Sequence, residues 1–249
     1  MNITVTPTYQ ISFVALSYVI SVIGSFVALT AARRISTGGG QVSLFNTATA
    51  GLALGGIGVW SMHFVGMLAL DLQMGVGYSL VETLVSLVAA VVATSLALGY
   101  VAKAPRLLSR IMIAGSLLGA GVCVMHYLGM YGMRFGGVID WSFGIVGLSV
   151  VIAVVAASAA LWLAFNTKTL AIRLVAACVM GVAVCAMHYT GMAAADFICT
   201  TANPNAMPTG FGVISRFELP FLVSVTAVGM ALVLAIDQAF QYVQEPAAA

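Results

Sequence analysis

Residues 56–67 have the sequence GIGVWSMHFVGM, and related sequences follow at residues 119–130 (GAGVCVMHYLGM) and 181–192 (GVAVCAMHYTGM). Each copy places a histidine between two methionines, with a glycine seven residues before that histidine. His63, His126 and His188 are the only three histidines of the chain, and they are spaced 63 and 62 residues apart. Self-similarity at a fixed period indicates a structural repeat. The fold and the function must therefore both explain this thrice-repeated block.

The composition indicates a membrane protein. Hydrophobic residues make up 62% of the chain and charged residues 6%, whereas a soluble domain carries about 25% charged residues. The formal net charge of +2 gives no basic field for nucleic acid. The sequence also lacks the nucleophile elbow, phosphate loop and zinc-protease motifs of common enzyme classes. We therefore expect an integral membrane protein without catalytic activity of its own.

The length of the apolar stretches predicts seven transmembrane helices. A spanning helix needs about 20 mostly apolar residues, because backbone groups must be paired internally in lipid. Breaks rich in glycine or proline separate the stretches, among them residues 38–40, residues 104–105 and residues 136–137. The longest connection, about 195–216, is expected to be an ordered or semi-ordered loop. The predicted spans are about 9–32, 43–69, 79–102, 108–132, 141–165, 169–194 and 217–239.

Basic residues predict the orientation of the bundle. Positively charged residues concentrate in cytoplasmic loops, and here seven of the nine fall on one side. The N-terminus is accordingly predicted to lie outside and the C-terminus in the cytoplasm. The two exceptions are Arg134 and Arg216, and the cytoplasmic set is Arg33, Arg34, Lys103, Arg106, Arg110, Lys168 and Arg173.

The repeat predicts that the three histidines meet. The expected fold is an all-α bundle of three two-helix repeats plus helix 1. Helices 2, 4 and 6 then run in the same direction, and each histidine lies about 20 residues past the cytoplasmic boundary, roughly 30 Å along the axis. All three histidines should therefore lie at one depth, near the outer edge of the hydrocarbon. Glycines permit close helix approach in membranes, so the histidine face is expected to point toward the other helices.

The convergent blocks predict a metal site. Because the residue four positions after a helical residue shares its face, the second methionine of each block is preferred as a ligand over the first. The predicted metal ligands are His63, Met67, His126, Met130, His188 and Met192. Imidazole and thioether ligands together favour copper, particularly Cu(I). Three histidines with an open position also suit zinc, and haem is a further alternative.

Several neighbouring residues are candidates for a supporting role. The first methionines lie about 100° round the helix from the histidines and are expected to flank the site. A carboxylate can orient a ligating imidazole, and Glu82 is the best-placed candidate for that role. Cysteine occurs three residues before the histidine in two repeats, whereas the first repeat has Trp60 there. The flanking candidates are Met62, Met125, Met187, Glu82, Cys123 and Cys185.

The repeated Met-His-(Tyr/Phe)-x-Gly-Met block closely resembles the MHYT domain family, and the resemblance covers nearly the whole chain. It implies a sensory module of the bacterial inner membrane that binds copper and through it senses oxygen, carbon monoxide or nitric oxide. It also implies a cytoplasmic effector that makes or degrades cyclic di-GMP, or a histidine kinase. Residues 1–240 would form the sensor domain, and residues 241–249 a short cytoplasmic tail or the start of a linker.

Other functions remain open at this point. A copper or metal permease, or a membrane metal-storage protein, would also use histidine and methionine ligands, and a copper oxidase is a third possibility. A permease should carry further ligands stepping toward the cytoplasm, and the sequence offers no second tier of histidine and methionine there. The first repeat, with Trp60 and Phe64 in place of cysteine and tyrosine, is the one expected to differ from the others.

Overall fold

Seven membrane-spanning helices form the core of the computed structural model, which describes residues 3–36 and 41–244. Each helix within these residues is long and apolar enough to cross a bilayer, and the predicted spans match them to within a few residues. The helices are α1 (Ile11–Ala32), α2 (Leu44–Ala69), α3 (Leu80–Ala102), α4 (Leu108–Tyr131), α5 (Phe143–Asn166), α6 (Leu170–Ala193) and α7 (Leu219–Gln244). The glycine break predicted at residues 38–40 lies outside the described residues, as does the end of the predicted tail, residues 245–249.

Six of the helices form a ring, and α7 packs outside it. Helix α1 contacts both α6 and α2, α3 lies between α2 and α4, and α5 lies between α4 and α6. Helix α7 packs chiefly against α2. The pairing of helices in space therefore differs from the pairing in the sequence repeat. Helix α1, predicted as an addition to the three repeats, packs beside α6 of the third repeat. Helix α7, the last helix of the third repeat, packs instead against α2 of the first repeat.

Helix α2 is the central helix of the bundle. In its most apolar window 94% of the residues are buried, against 44% or less for every other span. Its middle segment, Leu52–Ser61, is a π-helix between two α-helical segments. The Ser61 hydroxyl donates to the carbonyl of Gly56, five residues earlier, at 3.0 Å. Such wider turns occur frequently at functional sites, and this one directly precedes the first histidine block.

Short strands cover the end of the bundle that holds the histidines, and the sequence did not predict them. All pairs are antiparallel, and the sheets have the orders β1-β7-β6, β2-β3 and β5-β4-β8. Two of the strands fall within the predicted 195–216 loop. The described strands are β1 (Ile3–Val5), β2 (Thr8–Tyr9), β3 (Leu70–Asp71), β4 (Val76–Ser79), β5 (Met133–Phe135), β6 (Gly137–Trp141), β7 (Ala195–Cys199) and β8 (Val213–Ser215).

The strands form where the chain leaves one helix and enters the next. Helices α2, α4 and α6 end at this face of the molecule and α1, α3, α5 and α7 begin there, so backbone segments from seven helix ends come together. Pairing between segments satisfies backbone groups that the helices no longer satisfy. The sequence indicated an ordered or semi-ordered connection at 195–216 but no strands, because the pairings join segments far apart in sequence, such as Ile3 with Cys199.

Close approach of α1 to α2 depends on glycine. A Cβ added to Gly24 would overlap the backbone nitrogen and Cα of Gly58 and come within 2.8 Å of the carbonyl oxygen of Ala53. Because these obstacles are backbone atoms, no rotamer change can relieve the overlap. This contact sets the distance between the two helices.

We expect the substitution Gly24→Ala to destabilise the bundle by about 1–3 kcal/mol, the usual range for overpacking. Gly229→Ala is the matched control, since a Cβ at Gly229 in α7 meets nothing within 4 Å. Unfolding of both variants by denaturant in detergent micelles measures the difference. Equal stability of the two variants would contradict the packing described for α1 and α2.

Candidate metal centre

The three histidine rings meet at one point inside the bundle. The Nδ1 atom of His63 lies 3.1 Å from that of His126 and 3.1 Å from that of His188, and the third separation is 3.3 Å. The rings are 0–1% exposed. The sequence prediction that helices α2, α4 and α6 bring their histidines together at one depth is confirmed.

This group can hold a metal ion. Two nitrogen ligands about 2.0–2.1 Å from one ion, at the tetrahedral angle, are roughly 3.3–3.4 Å apart, close to the separations found here. The Nδ1 atoms lie near enough that, without a cation among them, neighbouring lone pairs or N–H groups face each other. Geometry and donor chemistry therefore both fit a metal ligated through Nδ1.

The side of each imidazole ring opposite Nδ1 packs against a glycine of the repeated block. A Cβ on Gly129 would overlap the Nε2 atom of His63, and the same relation joins Gly191 with His126 and Gly66 with His188. Each histidine thus packs on the glycine of the next block, in a closed cycle. No role was predicted for these glycines from the sequence. Their constant position three residues after each histidine was the available signal.

The Nε2 atoms are buried and without hydrogen-bond partners. Metal-ligating histidines usually donate this N–H to a carboxylate, carbonyl or water. The three histidines here differ, because their Nε2 atoms have no such acceptor. A buried unsatisfied donor costs about 1–3 kcal/mol. The packing against glycine leaves no protein acceptor beside these atoms. The imidazole rings are therefore held in position by packing contacts rather than by hydrogen bonds from Nε2.

Each histidine is backed by the aromatic residue that follows it. The ring centroids of His63 and Phe64, His126 and Tyr127, and His188 and Tyr189 are 4.7, 4.8 and 4.6 Å apart, all edge-on. These rings in turn contact an aromatic residue from the strand-covered end. The outer contacts are Phe64 with Tyr78, Tyr127 with Trp141, and Tyr189 with Tyr9.

The aromatic layer adds no charge above the site. Burial raises the pKa of the Tyr9 and Tyr78 phenols, which lie outside the spanning helices. Both rings therefore stay neutral at ordinary pH. The aromatic rings that back the histidine blocks from the strand-covered end are therefore uncharged.

A buried serine anchors each block to an outer helix. The hydroxyl groups of Tyr127 and Ser149 are 2.7 Å apart, and those of Tyr189 and Ser17 are 3.0 Å apart. The first block has no tyrosine, and there the Trp60 Nε1–H donates to Ser86 Oγ at 3.1 Å. The first repeat differs from the other two at this contact, as the sequence suggested.

The second methionines of the blocks are as buried as the histidines. Met67, Met130 and Met192 are 0–1% exposed, and they remain predicted ligands. The first methionines, Met62, Met125 and Met187, are 1–2% exposed and remain flanking candidates. Sulfur atoms that are buried beside the histidine helices suit a soft cation.

The cysteines lie outside the histidine group. Among the described residues, the three histidines are the one group of three or more His, Cys, Asp or Glu residues whose potential ligand atoms all lie within 4.8 Å of one another. Cys123 packs instead in a small apolar cluster with Ala153 and Met187. Cys185, at the corresponding position of the third repeat, likewise does not join the group.

Glu82 bonds to the strand-covered end rather than to an imidazole. Its carboxylate accepts a hydrogen bond from Ser79 and pairs with Arg134 at 2.8 Å. Arg134 lies in β5, which pairs with β4 directly before α3. The carboxylate therefore ties the start of α3 to the neighbouring sheet, and it does not supply the orienting contact predicted for it.

The fold and the site define a multi-pass membrane protein with a buried triad of histidines from three parallel helices. The chain belongs to the MHYT family: the sequence profile of this family, described as a bacterial signalling protein N-terminal repeat, matches residues 56–114, 119–177 and 181–244. The resemblance seen in the sequence is confirmed. No solved structure matches the fold significantly.

Curated relatives are larger signalling proteins. The chain is 40% identical over 195 residues to the bifunctional diguanylate cyclase/cyclic di-GMP phosphodiesterase MucR of Pseudomonas aeruginosa, covering 76% of this chain and 28% of the relative. It is 29% identical over 206 residues to the signaling protein YkoW of Bacillus subtilis, covering 80% and 26%. It is 32% identical over 194 residues to the cyclic di-GMP phosphodiesterase NbdA of P. aeruginosa, covering 75% and 24%. The chain thus spans about a quarter of these relatives.

The cycle of histidine and glycine contacts gives a prediction for the site. In Gly129→Ala the added methyl group displaces the His63 ring, and we expect metal affinity to fall about 10–100-fold, as for losses of supporting contacts elsewhere. Metal titration against a competing chelator measures the change. The control is Gly147→Ala, since a Cβ at Gly147 meets nothing within 4 Å. Unchanged affinity in Gly129→Ala would show that the ring position does not matter for binding.

Proposed function

We propose that this chain is the membrane sensor part of a bacterial signalling protein and that it holds a copper ion on His63, His126 and His188. The observation that supports the proposal is the convergence of three buried Nδ1 atoms at 3.1–3.3 Å. Membership of a signalling family and the signalling functions in the relatives' names support the sensory role. The bacterial inner membrane is the proposed location, with the strand-covered end toward the periplasm.

The residues around the triad favour copper over zinc. Met67, Met130 and Met192 follow the histidines by one helical turn and are buried, and thioether ligands select soft ions such as Cu(I). A zinc site would leave these three sulfur atoms without a role. When bound, copper supplies an ion that changes oxidation state and coordinates oxygen, carbon monoxide or nitric oxide. The proposed signal is therefore a diatomic gas or the redox state.

The chain's own residues provide a path from the site to a cytoplasmic effector. Helix α7 leads to the C-terminal end and packs chiefly on α2, the helix that carries His63. A Cβ at Gly56, in the π-helical segment of α2, would overlap the Met230 sulfur of α7. A displacement of His63 can thus be transmitted to α7 through α2 alone. Signalling requires that the ligand bind two arrangements of these helices with different affinity.

A metal permease is a weaker alternative. Residues one and two turns below the triad are mostly aliphatic, and they include Val59, Val122 and Val184. Ions do not cross an apolar layer of this kind without polar partners. Among the described residues the three histidines are the one group of three or more His, Cys, Asp or Glu side chains close enough to share an ion. The interior therefore favours a sensor over a conduit.

The decisive experiment is metal analysis of protein purified from copper-supplemented cells without a histidine tag. We expect about one copper per wild-type chain, and near-complete loss in the triple variant His63→Ala, His126→Ala, His188→Ala, because imidazole is the principal ligand. Circular dichroism confirms that the variant keeps its helices. Should it fail to fold, single His→Gln variants serve instead. Stoichiometric copper retained by folded variants would refute the site.

The methionines make a separate prediction about metal choice. In the triple variant Met67→Leu, Met130→Leu, Met192→Leu, side-chain volume is nearly conserved, and we expect weaker Cu(I) binding with zinc affinity unchanged. Competition titrations with chromophoric chelators measure both affinities. Met112→Leu is the control, since Met112 is 49% exposed on the lipid-facing side. Equal loss of copper and zinc affinity would indicate damaged packing rather than lost thioether ligands.

A further inference from the structure

An apolar cavity of about 70 Å³ lies within the bundle, on the side of the histidines away from the strands. It is lined by residues of α2 to α6, and its walls are nearly all hydrocarbon, with the Thr94 side chain as the main polar group. The Thr94 hydroxyl already donates to the carbonyl of Ala90 at 2.7 Å. The Thr94 hydroxyl therefore already has a hydrogen-bond partner and does not require a polar ligand.

The cavity is arranged around the same axis as the histidines. Its first layer is Val59, Val122 and Val184, each four residues before a histidine. One helical turn, about 6 Å along the axis, separates these valines from the imidazoles. Met187, directly before His188, also lines the cavity. The space therefore leads up to the layer of the triad.

The second layer shows what the π-helix contributes. Leu118 and Met180 lie eight residues before their histidines, whereas Leu54 lies nine before His63. A π-helix has more residues per turn than an α-helix, so one extra residue is needed in α2 to reach the same level. The wider turn keeps the aliphatic walls of the three central helices in register.

The cavity extends sideways between α5 and α6. Small side chains of α5, among them Ala153, Ala156 and Ala157, form this part of the wall. Val179 of α6 also lines the cavity, and it is 57% exposed on the outer surface of the bundle. Since this surface is the one that meets lipid, the cavity adjoins the hydrocarbon layer.

The size of the cavity restricts the occupant. An apolar cavity of about 150 Å³ stays dry and binds benzene or xenon, so 70 Å³ admits a molecule of only a few heavy atoms. Water is disfavoured, because it needs two to four polar partners. Ions are excluded for the same reason. A diatomic gas, which is small and apolar, satisfies each of these limits.

We propose that this cavity is the access route by which a diatomic gas passes from the bilayer hydrocarbon to the histidine site. The inference rests on the proposed function and adds to it the direction of approach: the ligand arrives through the lipid, between α5 and α6. At the strand-covered end, three pairs of aromatic rings back the histidines instead.

Crystals pressurised with xenon test the cavity independently of any metal. We expect anomalous density between α5 and α6 in the wild type, loss of that density in Ala157→Leu, and its persistence in Ala171→Leu, an exposed position of α6 outside the cavity. Val184→Ala, which enlarges the cavity, should raise the occupancy and keeps the test open if Ala157→Leu does not fold. Absence of xenon in the wild type, or its persistence in Ala157→Leu, overturns the proposal.

Carbon monoxide binding to the Cu(I)-loaded protein tests the route. We expect the association rate constant, followed by the C–O infrared stretch, to fall at least about tenfold in Ala157→Leu and to stay unchanged in Ala171→Leu. Equal rates in the two variants overturn the access role. Failure of the wild type to bind copper overturns the proposed function while the xenon site persists, whereas copper binding without a xenon site overturns the access route alone.

Discussion

The mutual packing of three imidazoles and three glycines is the constraint on which the rest of the structure depends. Each ring lies against the glycine of the next block, so the cycle closes only if α2, α4 and α6 are parallel and present their blocks at one level. Spacings of 63 and 62 residues meet that requirement, because each repeat then crosses the membrane twice and returns to the same depth. This cycle of histidine and glycine contacts brings three nitrogen donors to the spacing of metal ligands. It does so on helices, without a metal-binding loop.

The outer helices complete the cycle in an order that the chain does not suggest. Ser86 and Ser149 both lie 23 residues after a histidine and anchor the first two blocks, whereas the third block is anchored by Ser17 of α1. Helix α1 therefore closes the ring, and α7 is left to cover α2. This arrangement explains why α2 is buried almost all round, as a helix apolar on every face should be. Helix α2, whose middle segment is π-helical, is therefore the central helix that α7 contacts.

The surroundings of the histidines divide by chemistry. Toward the strands lie neutral aromatic rings, and toward the opposite end lie valine, leucine and methionine. An ion between these layers would be held in a medium of low dielectric, where interactions with its ligands are strong. Such an environment favours small apolar ligands over water. Under the proposed sensory function, a ligand at the histidines would act on an effector through the contacts between α2 and α7.

The sequence by itself determined the seven spans, the repeat and the meeting of the three histidines, because span length and repeat period are local quantities that the bilayer converts into depth. It did not determine the strands, the glycine cradles, the partners of Glu82 or the exchange of α1 and α7. These features arise from contacts between segments far apart in the chain, such as Gly66 with His188 or Ile3 with Cys199. Their existence depends on which helices become neighbours, and only the tertiary structure decides that.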